Sequence, residues 1–337
     1  MEMEELVVAD SSMNFTTTPQ QACSMFRDDP HKCEILIAVK RTTASLSFLG
    51  CIFMISVIVL FRKYIVFTQR LILYLSVAAF MDSIAYIMGD MHPDGPLCDF
   101  QAFFMTLFDW SVLLWVCAIT LNLAMLVIAM KKTEKYEWVY HIVCWVIPII
   151  ISCLPFAGDR YGPSGAWCWI TEWPWRFGIW YVPLFLIIAL LFVVYVYITV
   201  VVNRRVHTWE GTYDPDVERN KQMLKEDIKP LRGYPFVYLA VSIFPLINRI
   251  QNAVSSDHQP VFALLILHVI SSPLHGALNT VVFGMDKDTV SKLTPSQIKL
   301  AIQSWRAGRS IIEEFPTETE SPDADPDDVN PSVNQEQ

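Results

Sequence analysis

Seven apolar runs of roughly 20 residues or more, parted by short charged segments, constrain this chain more than any other feature of its sequence. A helix of about 20 residues crosses a hydrocarbon core of about 30 Å. Helix is the forced choice, because a lone segment in lipid must satisfy its own backbone hydrogen bonds. The runs fall at about residues 43–61, 71–89, 99–130, 138–156, 177–202, 234–254 and 261–285. The third is the longest and is expected to tilt. The sixth is the least apolar, since it holds Pro245, Asn248, Arg249 and Gln251. Only 18% of residues are charged, against about 25% in a soluble domain. The expected fold is therefore all-α and integral to the membrane, a seven-transmembrane helix bundle.

Basic residues set its orientation, because Lys and Arg concentrate on the cytoplasmic side. With the amino terminus outside, the inner segments hold 18 of the 25 Lys and Arg and the outer segments six, with Arg249 inside a span. Lys40 and Arg41 oppose this locally, and Arg62 and Lys63 on the other flank balance them. The start Met1-Glu2-Met3-Glu4-Glu5 lacks the basic region of a cleaved signal peptide, so the first run is expected to serve as a signal anchor. The sequon Asn14-Phe15-Thr16 is a glycosylation candidate, which requires the same outside location. The net charge of −9 comes largely from the two tails and gives no reason to expect nucleic acid as a partner. The lipid bilayer is the partner that the spans require. The expected division is an extracellular tail at 1–42, the membrane bundle at 43–285, an amphipathic cytoplasmic helix at 286–307 and a disordered acidic tail at 308–337.

The amphipathic eighth helix has its own start signal. Thr294-Pro295-Ser296-Gln297 reads as a capping box with proline at the first helical position. Ile298, Ala301, Ile302 and Trp305 then share a face, which suits the inner membrane surface. In the acidic tail, Thr317, Thr319 and Ser321 are candidate phosphorylation sites.

Eight cysteines are present. Cys51, Cys117, Cys144 and Cys153 fall within spans and read as small packing residues. Cys98 stands at the outer mouth of the third span and Cys168 in the second outer loop, within Trp167-Cys168-Trp169. Both face an oxidising compartment, so a Cys98–Cys168 disulfide is expected to pin that loop over the bundle. Cys23 and Cys33 are candidates for a second bridge.

Ionisable groups inside a membrane are costly and usually face a bundle interior or a wet cavity. At 1.5 Å per residue, Asp82 lies about 18 Å up from the cytoplasmic side, Asp109 about 15 Å down from the outside and Arg249 about 22 Å up. In the seventh span His268, Ser271, Ser272, His275 and Asn279 share one helical face. One reading places Asp109, Arg249 and His268 around a ligand pocket, with Asp82 close by. Arginine takes a phosphate or carboxylate bidentately, which suits an anionic ligand such as a cyclic nucleotide. The same residues would also serve as a structural Asp109–Arg249 ion pair or an interhelical network. His268 and His275 sit about 10 Å apart along the axis and have no evident third partner, so no metal site is expected. The tryptophans Trp167, Trp169, Trp173 and Trp175 read as interfacial anchors or as a lid.

Several short stretches resemble one family. They are Cys144-Trp145-Val146-Ile147-Pro148, Trp167-Cys168-Trp169-Ile170, Gly233-Tyr234-Pro235, Asn248-Arg249-Ile250, Leu267-His268 and Ser272-Pro273-Leu274-His275-Gly276-Ala277-Leu278-Asn279. In that order, over about residues 43–285, they resemble the cyclic-AMP receptor-like family of G-protein-coupled receptors. The resemblance implies a receptor at the plasma membrane that carries an extracellular small-molecule signal to a heterotrimeric G protein, without a cofactor and without enzymatic activity. It does not fix the ligand. The third span ends Leu126-Val127-Ile128-Ala129-Met130-Lys131, with no Asp-Arg-Tyr switch, and the seventh lacks Asn-Pro-x-x-Tyr, so the switches of rhodopsin-like receptors do not transfer. A retinal protein would need a lysine between Val261 and Met285, and none is there. A transporter would be expected to show an internal repeat, and none is evident. A transporter, channel or scaffold without G-protein coupling is the alternative.

Overall fold

A computed structural model describes residues 29–88, 94–164, 167–209, 228–254 and 261–306, with residues 215, 218, 221 and 222 between them. Seven of its helices are long and apolar enough to cross a membrane. Three are unbroken and free of interior proline: α1 (Pro30–Leu60), α2 (Phe67–Ile87) and α3 (Pro96–Ala129). Helix α4 begins at Glu137–His141, passes through a π-helical turn at Ile142–Val146 and resumes at Ile147–Cys153. Helix α5 repeats that pattern, with Trp173–Arg176, a π-turn at Phe177–Tyr181 and then Val182–Trp209. Helices α6 (Gly233–Val254) and α7 (Phe262–Gly284) each contain a proline, Pro245 and Pro273.

The first helix is longer than its hydropathy indicates. It starts at Pro30, so part of the stretch read as an extracellular tail at 1–42 is helix. Proline suits the first helical turn because its missing N–H is one of the four without an intrahelical partner. Charges at Lys40 and Arg41 end the apolar run but not the helix. Cys33, Leu36, Lys40 and Ala44 are buried at helical spacing, and the Lys40 ammonium lies 5.7 Å from the Trp167 ring centroid.

The segment expected as one helix at 286–307 holds two, the second beginning at Pro295 where the Thr294-Pro295-Ser296-Gln297 signal placed the start. A short helix, α8 (Lys287–Lys292), comes first, and Pro295–Arg306 forms the separate α9. Asp286 explains the extra start, since its carboxylate accepts the Thr289 N–H at 3.3 Å as an N-cap. Asn14, Cys23, Thr317, Thr319 and Ser321 lie outside the described residues. Cys33 is disulfide-bonded.

Small residues bring α1 and α7 together. A Cβ on Gly276 would meet Cys51 Sγ at 2.8 Å, and one on Gly50 would meet Thr280 Oγ1 at 2.5 Å. Between them Ser47 is buried, its hydroxyl donating to the Pro273 carbonyl and accepting the Ala277 N–H at 3.0 Å. A side chain from α1 thus stands in the hydrogen-bond ladder of α7 next to its proline, where helices bend.

Candidate functional site

The site is built at the end of the bundle where α3 begins and α4 ends. There the connection from α4 to α5 folds into a hairpin, β1 (Tyr161–Pro163) against β2 (Cys168–Ile170), with Gly162 opposite Trp169. Tyr161 anchors it by donating to the Ser152 carbonyl at 2.8 Å. Burial pushes the Tyr161 hydroxyl's pKa up, so it stays protonated as that donor. Cys98 and Cys168 are joined in a disulfide with their Cα atoms 5.3 Å apart, which fixes the hairpin to α3 as the cysteine positions predicted.

The hairpin places Trp167 and Trp169 in the wall of a cavity inside the bundle rather than at its surface. Their reading as a lid is the one the geometry matches, whereas Trp173 is exposed and Trp175 packs beside Arg160. The cavity has about 90 Å³ of free volume, room for several waters at about 10–15 Å³ each. Asp109 from α3, Arg249 from α6 and His268 from α7 line it together. Asp82 does not. It lies fully buried beneath, with His275 Nε2 3.6 Å from its Oδ2.

The charged residues are not paired as a structural ion pair would require. Among the described residues, Asp109 and Arg249 form no salt bridge. Asp109 accepts a long hydrogen bond from the Tyr86 hydroxyl at 3.4 Å. The Arg249 guanidinium instead sits 5.3 Å from the Trp169 ring centroid and 5.4 Å from that of Tyr181. Stacking on aromatic faces attracts the cation without occupying its N–H donors. The Asn248 side-chain amide lies 2.9 Å from His268 Nδ1, and the Trp167 ring meets His268 edge-on at 5.8 Å.

Sequence reasoning missed the contribution of α5. Trp180 lines the cavity, and Tyr181 packs against Arg249 from the same π-turn. A π-turn shifts the facing of every later residue in its helix, so regular spacing could not have assigned these faces. The aromatic density of Trp173-Pro174-Trp175-Arg176-Phe177-Gly178-Ile179-Trp180-Tyr181 was the available signal.

Seven membrane-length helices around a cavity that carries charged and aromatic side chains, capped by a hairpin disulfide-linked to α3, define a seven-helix membrane bundle of receptor-like architecture. The family model for slime mold cyclic AMP receptors matches residues 30–306, and the chain belongs to that family. It is 24% identical to the cyclic AMP receptor-like protein A of Dictyostelium discoideum over 74% of this chain and 64% of that protein. It is 26% identical to the G-protein coupled receptor 1 of Arabidopsis thaliana, covering 75% and 78%. It is 24% identical to the G-protein coupled receptor 157 of Homo sapiens, covering 64% and 70%. The chain therefore spans slightly under two thirds of the length of the first of these relatives.

Proposed function

We propose that this chain is a cell-surface G-protein-coupled receptor that recognises a small anionic ligand, of the kind a cyclic nucleotide represents, through Arg249. Its amino terminus lies outside the cell and its carboxyl terminus in the cytoplasm. The observation that carries the ligand reading is the state of Arg249: a cation inside the bundle with aromatic faces around it and no carboxylate paired to it among the described residues. Such a group is costly to keep in a membrane unless a ligand uses it. Asp109 and His268, on the same cavity, give the ligand an acceptor and an imidazole to orient against. Family membership and relatives named as G-protein-coupled receptors support coupling to a heterotrimeric G protein.

A panel of small anions, including cyclic nucleotides, read by G-protein dissociation in cells expressing the chain, tests this reading. A nucleotide-dependent response that Arg249→Gln removes while surface expression persists is the expected result. A response to uncharged compounds that is indifferent to Arg249→Gln overturns the anionic-ligand reading. Solute flux without G-protein activation would favour the transporter alternative. Epitope tags at the two ends, probed before and after permeabilisation, test the orientation separately.

A further inference from the structure

Below the cavity two acceptors face each other with no donor between them. Among the described residues no N–H or O–H donates to either carboxyl oxygen of the fully buried Asp82, and His275 Nε2 has no partner either; the one side chain in hydrogen-bonding reach of Asp82 is the carboxyl of Asp109, itself an acceptor unless a proton is shared. The two groups stand 3.6 Å apart, too far for a direct hydrogen bond. The other ring nitrogen fixes the tautomer. His275 Nδ1 is 2.9 Å from the Ser272 carbonyl oxygen, which can only accept, so Nδ1 carries a proton. In the neutral ring, Nε2 then presents a lone pair to Asp82. Asp109 interacts with Asp82 from α3 and is a third acceptor when ionised.

Other titratable groups facing this pair or the space above it come from each neighbouring helix. They are Cys51 on α1, Tyr86 on α2, Tyr238 and Arg249 on α6 and His268 on α7. Of these, only Arg249 carries a charge when the histidines are neutral. With Asp82 and Asp109 both ionised, the set therefore holds one negative charge in excess. A buried carboxylate without a partner is costly enough to neutralise instead. One proton removes the excess charge and supplies the missing donor at once.

We propose that Asp82 and Asp109, with His275 facing them, form a proton-binding site: in the resting bundle Asp82 holds one proton and shares it with the Asp109 carboxylate, while His275 Nε2 stands 3.6 Å away as a neutral neighbour. A shared proton spares the bundle a second buried carboxylate without a cation beside it. The site ties α2 to α3 and faces α7 two residues beyond Pro273, at the bend where Ser47 enters the ladder. Losing the proton sets Asp82 and Asp109 against each other and loosens that junction. The resting conformation is thus sensitive to pH through a group that ligand need not touch.

Infrared spectroscopy of the purified, ligand-free chain in lipid nanodiscs tests the site. Near neutral pH the wild type should show the carbonyl stretch of a protonated buried carboxyl, shifted in heavy water and missing from Asp82→Asn. The folded state holds a proton that the unfolded state releases. The wild-type melting temperature should therefore fall by several degrees as pH rises from about 6 to about 9, and Asp82→Asn should flatten that fall. Where Asp82→Asn folds poorly, Asp109→Asn assigns the band: it should keep the band if Asp82 holds the proton and lose it if Asp109 does, which overturns the proposal. Absence of the protonated-carboxyl band overturns the proposal. So does stability that tracks sodium concentration rather than pH, which would place a cation in the gap, or a flat pH profile, which would place a water there.

Discussion

The charges that face into the bundle are handled in opposite ways at its two ends, while the surface pair Arg160–Glu172 in the hairpin connection is an ordinary salt bridge. At the end away from the hairpin, basic groups are matched. Arg70 on α2 holds Glu137 through two hydrogen bonds of 2.9 Å and Glu134 through one of 2.7 Å, and Tyr74 donates to Glu137 at 2.9 Å. Lys63 is buried after α1, 2.9 Å from the Asp288 carboxylate and 2.8 Å from the Thr289 hydroxyl. At the hairpin end Arg249 rests on aromatic rings, and among the described residues Asp82 and Asp109 have no cation within salt-bridge distance except the Asp82–His275 approach. Paired charges hold helices to one another, whereas an unpaired one in a cavity is available to something that arrives. This contrast is what supports the proposal that Arg249, and not Arg70, faces a ligand.

Substitutions at each end separate the two kinds of charge. The largest effect is expected from Arg249→Gln, which should weaken response to an anionic agonist by at least about 30-fold with little change in melting temperature, because a charge-assisted contact is lost and no internal pair is broken. Concentration–response curves alongside thermal unfolding check both halves. Next, Gly276→Val should cost about 1–3 kcal/mol through overpacking, since even its Cβ meets Cys51 and Ser47. Gly284→Val, at a glycine with open space around it, should cost far less in the same unfolding assay. Arg70→Gln leaves Glu137 and Glu134 without their cation and should lower stability by about 1 kcal/mol while leaving anion recognition in place, the reverse of Arg249→Gln.

The smallest effect concerns Asp288, outside the spans. Burial alone would raise its pKa, but hydrogen bonding and attraction from Lys63, then Lys292, hold it below the usual carboxylate range. A depressed carboxylate contributes stability above its unfolded pKa, lost as pH falls through the folded value. The stability gap between wild type and Asp288→Asn should accordingly close as the pH is lowered below about 4. Melting curves in a pH series measure it.

Much of this was legible from the chain, and the reasons are specific. Lipid forces every span to be helical, so hydropathy alone placed α2, α3, α6 and α7 within a few residues of their ends. Rarity of charge in a membrane singled out Asp109, Arg249 and His268, which the fold brings to one cavity. Asp82, expected close by, stands beside the lining residues His275 and Asp109 without lining the cavity itself. Hydropathy also could not reach Pro30, since Lys40 is covered by a loop distant in sequence. The two π-turns and the hairpin depend on tertiary packing and left no periodic mark. The aromatic seat of Arg249 therefore emerged only from the fold.

The most direct test of the availability of Arg249 is thermal stabilisation of the purified chain in nanodiscs by matched compounds that differ only in bearing or lacking an anionic group. Wild type and Arg70→Gln should both be stabilised by the anionic member alone, and Arg249→Gln by neither. Equal stabilisation by both members, or an anion effect that survives Arg249→Gln and vanishes in Arg70→Gln, would contradict the account.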